Sequence, residues 1–284
     1  NIPLILHPLL FGYILRKPTV LYSQSVGPFQ NQLECKMVAF VLRRMTLILL
    51  REDKSVALLA KLGVTGNVER AVDSGFLLKN KHNLNVRNKY KIPANKMLIG
   101  VTVRSWLSGS QQTKYEQAVA KALDWMIANT EAHILFVPQV TAAKGDDDRL
   151  VSRRVRQQMV HAKAATLVKD TPDHHQIKAI YDGLDMLLGT RFHSVIFSLT
   201  SFVPVLAIEY EHKTSGIMHD LGLDNWVIKI EHVTGRKLIE MLQKLQCDSG
   251  EYREYLHKTV PAYVQKANEA ADLMALSYNR IVEV

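Results

Sequence analysis

From residue 96 onward, short apolar runs alternate with stretches in which apolar residues recur at helical spacing. Residues 97–103 form a mainly apolar run rich in β-branched residues, and Tyr115, Val119 and Leu123 then follow at four-residue intervals. Such runs are typical of buried strands, and such spacing is typical of a helix with one apolar face. Further strands are predicted at 134–137, 165–168, 186–188, 205–208 and 226–230, with helices between consecutive strands up to residue 208. This repetition predicts a parallel sheet covered by helices on both faces.

A shorter version of the same pattern precedes residue 96. Strands are predicted at 19–24, 47–50 and 68–72, and helices at 33–44 and 55–61. The predicted fold class is therefore α/β, with two Rossmann-like domains that have parallel sheets and face one another, over 1–88 and 89–258. After Pro261, apolar residues at three- and four-residue spacing predict a long amphipathic helix over 259–284 that braces the first domain.

The charge of the chain is unevenly distributed. Residues 1–94 hold 14 Lys and Arg against 5 Asp and Glu, whereas residues 95–284 hold 22 against 22, so the whole net charge of +9 arises in the first third. Residues 79–91 contain no acidic residue but hold Lys79, Lys81, His82, Arg87, Lys89 and Lys91. This stretch is either a solvated linker or a region that attracts an anionic membrane surface or a phosphorylated substrate. No nucleic-acid-binding motif accompanies the charge, so we expect no nucleic-acid partner.

Cysteines and apolar runs bear on the compartment. The two cysteines, Cys35 and Cys247, are far apart and have neither metal-ligand nor redox spacing. No apolar run reaches the roughly 18 residues that a membrane span needs. We therefore expect a reduced, cytoplasmic protein, with peripheral association at the inner membrane face as a further hypothesis.

The strongest chemical signal lies at residues 189–194, Gly-Thr-Arg-Phe-His-Ser, between a predicted strand and a predicted helix. A second strand follows and ends in a polar cluster that includes Lys213. Ligands of α/β proteins bind at the carboxyl edge of the sheet, and the first N–H groups of a helix attract phosphate or carboxylate. Arg191, His193 and Lys213 therefore predict an anion site that contains a proton donor.

Five motifs in order resemble the polysaccharide pyruvyl transferase family and together cover most of residues 20–215. They are Gln-Ser-Val-Gly-Pro-Phe at 24–29, Arg-Glu-Asp-Lys-Ser at 51–55 followed by Leu-Gly-Val at 62–64, Asp73 before an apolar pair, Val-Thr-Val-Arg at 101–104, and residues 189–194 through Pro204 to Tyr210 and Lys213. The resemblance implies a GT-B-like fold. It also implies transfer of a pyruvyl group from phosphoenolpyruvate to two hydroxyls of a sugar, forming a ketal. Members of the family usually carry a Gly-Gly-Gly motif ahead of the segment that begins here, and its absence leads to the hypothesis that the N-terminal domain is truncated.

The resemblance also implies roles for individual residues. The catalytic set is His193, Arg104 and Lys213, with His193 as the acid for the methylene carbon or the handler of the hydroxyl proton. The donor-binding set is Arg191, Arg104, Lys213, Thr190 and Ser194. Gln24, Ser25, Gln139 and Glu209 are the expected acceptor contacts. Phosphoenolpyruvate is a co-substrate, and this route requires no cofactor and no metal.

Structural explanations for the same residues stay open. Arg104 could form an interdomain salt bridge, Arg191 could pair with Asp185 or Glu209, and His193 could simply occupy a helix start. Asp146, Asp147 and Asp148 precede a predicted helix, where carboxylates cap free N–H groups, with magnesium binding as the less favoured alternative.

Three functions are consistent with these patterns. The first is a pyruvyl transferase that acts on a polysaccharide or on its lipid-diphosphate-linked precursor. The second is a nucleotide-sugar glycosyltransferase of the same architecture, which fold alone does not separate from the first. The compact set of cations, without an obvious base-stacking aromatic residue near it, favours the smaller donor. The third is a noncatalytic glycan- or lipid-binding relative.

Overall fold

The computed structural model describes residues 2–29, 31–81, 84–141 and 146–282. The chain divides into two compact units, of which the first comprises Asn1–Leu77 with Pro261–Val284 and the second comprises Leu78–Val260. The segment after Leu77 groups with the second unit because its polar groups bond there. Arg87 donates to the carbonyls of Pro93 (3.0 Å) and Lys96 (2.8 Å) and pairs with Asp185.

The first unit contains a sheet of three parallel strands in the order β1-β2-β3. Its elements before residue 78 are α1 (Ile2–Ile14), β1 (Val20–Gln24), α2 (Gln32–Leu42), β2 (Leu47–Leu50), α3 (Asp53–Lys61) and β3 (Val68–Arg70). Strand β2 is central, and Ile48, Leu49 and Leu50 are fully buried. Its side chains therefore pack on both faces of the sheet, as expected for a central parallel strand.

The second unit contains six parallel strands. Its elements up to residue 182 are α4 (Val86–Lys89), β4 (Leu98–Thr102), α5 (Gly109–Thr130), β5 (His133–Phe136), α6 (Asp148–Gln158), β6 (Ala165–Leu167) and α7 (His174–Asp182). The next are β7 (Met186–Gly189), α8 (Phe192–Thr200), β8 (Val205–Glu209), α9 (His212–Asp220), β9 (Val227–Lys229), α10 (Gly235–Cys247) and α11 (Ser249–Val282). The α/β class and the parallel sheets predicted from sequence are confirmed.

The strand order β6-β5-β4-β7-β8-β9 fixes where a ligand can bind in the second unit. After β4, the chain adds β5 and β6 on one side of it, then crosses to the other side with β7 and continues with β8 and β9. The direction in which strands are added therefore reverses between the neighbours β4 and β7. In open parallel sheets, ligands bind outside the carboxyl ends of the strands at such a switch point. Thr102, the last residue of β4, pairs with Gly189, the last residue of β7.

Helix α11 begins at Ser249, ten residues before the predicted start at residue 259, because Tyr252, Leu256 and Val260 are already buried at helical spacing in the second unit. From Pro261 onward the helix belongs to the first unit, where Ala270 packs with Leu49 and Ala71. Among the described helices, none combines the length and the apolar character that a membrane crossing requires.

Candidate active site at the switch point of the second sheet

Thr102 organises the loop that joins β7 to α8. Its hydroxyl accepts hydrogen bonds from the backbone N–H groups of Thr190 (2.9 Å) and Arg191 (3.1 Å) and lies 2.9 Å from the Ser194 hydroxyl. Gly189 allows this tight passage, since a Cβ there would lie 2.9 Å from a Leu187 methyl carbon. The β7–α8 loop is therefore held in place by Thr102 at the end of the neighbouring strand β4.

Helix α8 points its N-terminal end at the same edge. Arg191 occupies the N-cap position, and its side chain makes no capping hydrogen bond. The first N–H groups of an α-helix have no intrahelical acceptor and carry partial positive charge. Thr190 and Ser194 are fully buried, with their hydroxyls bonded to Tyr115 and to Thr102, so they support this loop. The donor contact predicted for these two residues stays a prediction.

Arg191 forms a buried ion pair with Asp148. Its Nε lies 3.1 and 3.0 Å from the two carboxylate oxygens, and the two side chains are 9% and 1% exposed. Asp148 also accepts the backbone N–H groups of Gln139 and Val140 at 3.0 Å each. Burial opposes the charged guanidinium, but the hydrogen bond and charge of Asp148 outweigh it, so the pKa of Arg191 is raised. Asp148 therefore holds Arg191 in place, and neither Asp185 nor Glu209 is its partner.

A second carboxylate joins the two arginines of the predicted site. Asp146 lies 2.9 Å from Nη2 of Arg191 and 3.0 Å from Nη2 of Arg104. Asp147, the middle member of this acidic run, caps α6 by accepting the N–H of Arg149 (2.9 Å). The predicted helix-capping role is thus confirmed for Asp147, whereas the flanking aspartates bind arginines.

Two aromatic rings cover the guanidinium of Arg104. Its Cζ lies 4.3 Å from the ring centre of Tyr210 and 4.8 Å from that of Trp106, and the two rings are 4.9 Å apart. Trp106 is 42% exposed. The expectation that no base-stacking aromatic residue lies near the cations is therefore wrong.

The loop that carries Arg104 is braced by α5. Gln112 donates to the carbonyl of Arg104 (3.2 Å) and accepts the N–H groups of Trp106 and Leu107 (3.1 Å each). Its amide also donates to Glu116, which forms a 2.6 Å ion pair with Arg154. Arg104 thus sits on a fixed backbone, and its pairing with Asp146 lies within the second unit.

Lys213 and His193 lie beside the same phenylalanine. Lys213 is in the first turn of α9, with its Nζ 2.7 Å from Glu211, 5.7 Å from the Phe192 ring and 6.0 Å from the Tyr210 ring. His193 is exposed in the first turn of α8, and its ring contacts Phe192 at 5.3 Å edge to face. The structure therefore brings Arg104, Arg191 and Lys213 to one edge, whereas the membership of His193 in the same site stays a prediction.

The four predicted acceptor residues fall in different places. Gln139 donates its amide to the buried Tyr181 hydroxyl (3.0 Å), and Glu209 accepts the Ser215 hydroxyl at the end of β8. Gln24 and Ser25 belong to the first unit and line an apolar cavity of about 330 Å³. These acceptor roles stay predictions.

In the first unit, the motif residues bond to one another. The Ser25 hydroxyl accepts a hydrogen bond from Arg51 (2.7 Å), which also pairs with Asp73, while the Ser55 hydroxyl accepts the N–H of Val26 (2.9 Å). The three motifs at 24–29, 51–55 and 73 therefore form one local network.

The basic stretch is partly neutralised. Arg87 pairs with Asp185 (3.1 Å), and Lys89 pairs with Asp170 (2.6 Å), whose hydrogen bond raises the pKa of Lys89. Lys79, Lys81 and Lys91 are exposed, and His82 lies outside the described residues. Three lysines of this stretch are therefore exposed, and the predicted attraction of an anionic partner stays a prediction.

Comparison with known proteins adds independent findings. The family model described as polysaccharide pyruvyl transferase matches residues 6–212. The amylovoran biosynthesis protein AmsJ of Erwinia amylovora is 29% identical over 246 residues, which span 81% of this chain and 58% of that protein. The chain therefore covers less than two thirds of this relative.

Solved structures agree in fold. S. aureus MnaA, in its UDP co-structure, superposes with a TM-score of 0.66 at 13% identity. The match covers 95% of this chain and 72% of MnaA. Anabaena HepE, in complex with UDP and glucose, gives a TM-score of 0.64 at 13% identity and covers 98% of this chain and 76% of that chain. At this identity the likeness concerns the fold alone, and it confirms the GT-B-like class.

Proposed function

Because this chain belongs to the polysaccharide pyruvyl transferase family, we propose that it transfers a pyruvyl group from phosphoenolpyruvate to a sugar of a polysaccharide or of its lipid-linked precursor, forming a ketal. The observation that carries the proposal is the convergence of Arg104, Arg191 and Lys213 at the N-terminal end of α8.

The donor's charge matches this set of groups. Phosphoenolpyruvate carries about three negative charges near neutral pH, on a carboxylate and a phosphate. A guanidinium binds either group through two parallel hydrogen bonds, which an ammonium does not. In the proposed complex, Arg104 and the outer edge of Arg191 bind the anionic groups, and the end of α8 adds its partial positive charge.

His193 supplies the proton in the proposed chemistry. It protonates the methylene carbon, which becomes a methyl group and leaves the central carbon electrophilic. The first sugar hydroxyl adds to that carbon, phosphate leaves, and the second hydroxyl closes the ketal. The two hydroxyls release two protons, of which one restores His193 and the other accompanies phosphate.

Lys213 and Arg104 stabilise the charge that develops on the departing phosphate. Such fixed charges act most strongly where the protein positions them before the reaction, and loss of one donor typically costs about 10²–10³ in rate. Gln112 under Arg104 and Asp148 beside Arg191 provide this rigidity for the two arginines.

The Trp106–Tyr210 pair favours a second candidate, a glycosyltransferase that uses a nucleotide sugar. An exposed aromatic ring beside cations could stack on a nucleobase while the same cations bind a diphosphate. The solved structures of MnaA and HepE are complexes with UDP. The cations alone therefore do not discriminate between the two donors.

A binding experiment separates these candidates. We expect phosphoenolpyruvate, and not UDP, to raise the melting temperature, since a ligand at 100 times its Kd adds about 2.7 kcal/mol to the free energy of unfolding. Arg104→Ala should remove the shift, whereas Arg236→Ala, at a side chain 89% exposed and paired with Glu240, should keep it. A rise in melting temperature with UDP but not with phosphoenolpyruvate would contradict the proposed donor and support the nucleotide-sugar candidate.

Turnover is tested with lipid-linked oligosaccharides extracted from a polysaccharide-producing bacterium. Release of inorganic phosphate together with a new ketal methyl signal in the proton NMR spectrum is the expected result. Phosphate release without a ketal would contradict the transfer step.

A further inference from the structure

Each cation of the site has a carboxylate partner, but the partners are not equivalent. Asp148 is 1% exposed and is held by two backbone N–H groups besides Arg191. Asp146 is 36% exposed, and among the described residues its recorded partners are Arg104 and Arg191 alone. One carboxylate is thus built into the fold, and the other is held only by the arginines.

Asp146 contacts the groups that an anionic ligand would need. Its carboxylate bridges Nη2 of Arg104 and Nη2 of Arg191, at 3.0 and 2.9 Å. A carboxylate between two guanidinium groups has the same geometry and charge preference as the carboxylate or phosphate of a substrate. One guanidinium nitrogen of each arginine is therefore already in contact with a side chain of the protein.

We propose that Asp146 is an exchangeable counter-ion, which occupies the anion-binding position of Arg104 and Arg191 in the unliganded protein and is displaced by the anionic donor. The proposal rests on the proposed function for the identity of that donor, but not for the exchange itself.

The exchange has a consequence for selectivity. A ligand must supply more favourable contacts than one carboxylate to displace Asp146, so a monoanion such as acetate or pyruvate gains little. A ligand with a phosphate and a second anionic group can engage both arginines and Lys213 together. Asp146 would thus discriminate polyanionic donors from the many small carboxylates of a cell, at the expense of donor affinity.

The test compares Asp146→Asn with Asp147→Asn by calorimetry against inorganic phosphate, phosphoenolpyruvate and UDP. The two substitutions remove the same charge from adjacent positions. Asp147 faces Arg149 and caps α6, a role that asparagine keeps. They therefore separate a specific contact from a general change in electrostatic potential.

We expect Asp146→Asn to bind phosphate and the donor about three- to fivefold more tightly, the upper part of the range for loss of one competing, partly exposed ion pair. Acetate should now compete measurably with the donor. Asp147→Asn should stay within twofold of the wild type.

Unchanged or weaker donor binding in Asp146→Asn would overturn the proposal, since Asp146 would then position the arginines rather than compete for them. If the wild type binds UDP but not phosphoenolpyruvate, the proposed donor fails, and the change in UDP affinity in Asp146→Asn still decides the exchange. If neither the wild type nor Asp146→Asn binds any of the three anions, both the proposed donor and the proposed exchange are overturned.

Discussion

Both units place an arginine just after a buried parallel strand and pair it with an aspartate, yet the surroundings differ. In the first unit, Arg51 follows β2, pairs with Asp73 and donates to Ser25. In the second unit, Arg191 follows β7 and pairs with Asp148, but it also shares Asp146 with Arg104. Lys213 and the N-terminal end of α8 lie at the same edge.

The comparison teaches what distinguishes a structural arginine from a candidate binding group. A strand-end position and a buried acid are common to both, so neither is diagnostic. Helices α3 and α8 both begin without a side-chain cap, so the helix start is not diagnostic either; the second unit adds a carboxylate shared by two arginines and, over one of them, an aromatic ring that is 42% exposed. Convergence of several donors, not burial of one, identifies the site.

The largest expected effect tests the proton donor of the second unit. His193→Gln should lower kcat by about 10²–10⁴, the range for loss of a general acid, with donor affinity nearly intact. His219→Gln, at an exposed histidine paired with Asp224, is the control and should leave kcat unchanged. Steady-state rates with calorimetry measure both quantities, and an equal loss of donor affinity and rate would argue against an acid role.

The next largest effect compares substitution of Arg104 in the second unit with substitution of Arg51 in the first. Arg104→Ala should weaken phosphoenolpyruvate binding by about 10²-fold, since it removes a bidentate, charge-assisted contact. Arg51→Ala should instead lower the free energy of unfolding by about 3 kcal/mol, because it leaves the buried carboxylate of Asp73 unpaired. Calorimetry and urea unfolding on both variants decide the matter. An equal loss of phosphoenolpyruvate affinity in both variants would contradict the assignment of Arg51 as structural and Arg104 as a binding residue.

The matching aspartates sharpen the same contrast. Asp148→Ala and Asp73→Ala should each lower the free energy of unfolding by about 3 kcal/mol, since each removes a buried carboxylate that binds a guanidinium and also accepts backbone N–H groups. Asp148→Ala alone should also weaken donor binding, because Arg191 loses its orientation. Donor affinity is measured well below the melting temperature of each variant, and unchanged affinity in Asp148→Ala would exclude Arg191 from the site.

The basic stretch offers a comparison of free and paired cations. We propose that Lys79, Lys81 and Lys91 attract an anionic acceptor or membrane surface, at about 1 kcal/mol each. Substitution of these three by glutamine should abolish low-salt binding to phosphatidylserine vesicles. Lys89→Gln, at a lysine already paired with Asp170, should have a smaller effect. Vesicle binding that survives the triple substitution would identify the stretch as a solvated linker.

The smallest effect concerns the pH dependence of stability and a contact between β5 and the edge strand β6. Burial, together with the charge of Arg87, lowers the pKa of His133, whose Nε2 lies 2.9 Å from the Thr166 hydroxyl. The unfolded chain then binds this proton more readily, so stability should fall as pH drops below about 6.5 and be unaffected above it. His133→Gln should flatten urea-unfolding stability between pH 7.5 and 5.5. An identical pH dependence in both proteins would contradict this assignment.

Most strands could be predicted from the sequence because they are apolar runs bounded by polar or turn residues. Strand β2, predicted at 47–50, is observed at Leu47–Leu50, and β4 is shorter by one residue at each end than predicted. Helix α1 was not predicted, since Ile2–Ile14 is apolar nearly throughout and has no periodic polar face, and it contains Pro8. Helices α9 and α10 also lacked a prediction.

The site could be predicted only in part, for a topological reason. Arg104, Arg191 and Lys213 follow strands, and parallel strands share one carboxyl edge, so their approach to one another was predictable. Their partners Asp146 and Asp148 lie in the connection after β5, which adjoins β4 only through the sheet order. Trp106 and Tyr210 come from loops after β4 and β8 and meet over Arg104 for the same reason. Periodicity along the chain carries no information on strand order.

The contact between Arg104 and Trp106 also provides an optical signal. An indole emits according to the charge and polarity around it, and here a guanidinium lies 4.8 Å from the ring of a tryptophan that is 42% exposed. Any ligand that reorients that guanidinium alters the electric field at the fluorophore. The protein therefore contains its own reporter. Because the chain holds three tryptophans, the difference between the stopped-flow emission traces of the wild type and of Trp106→Phe would resolve in time when the arginine moves.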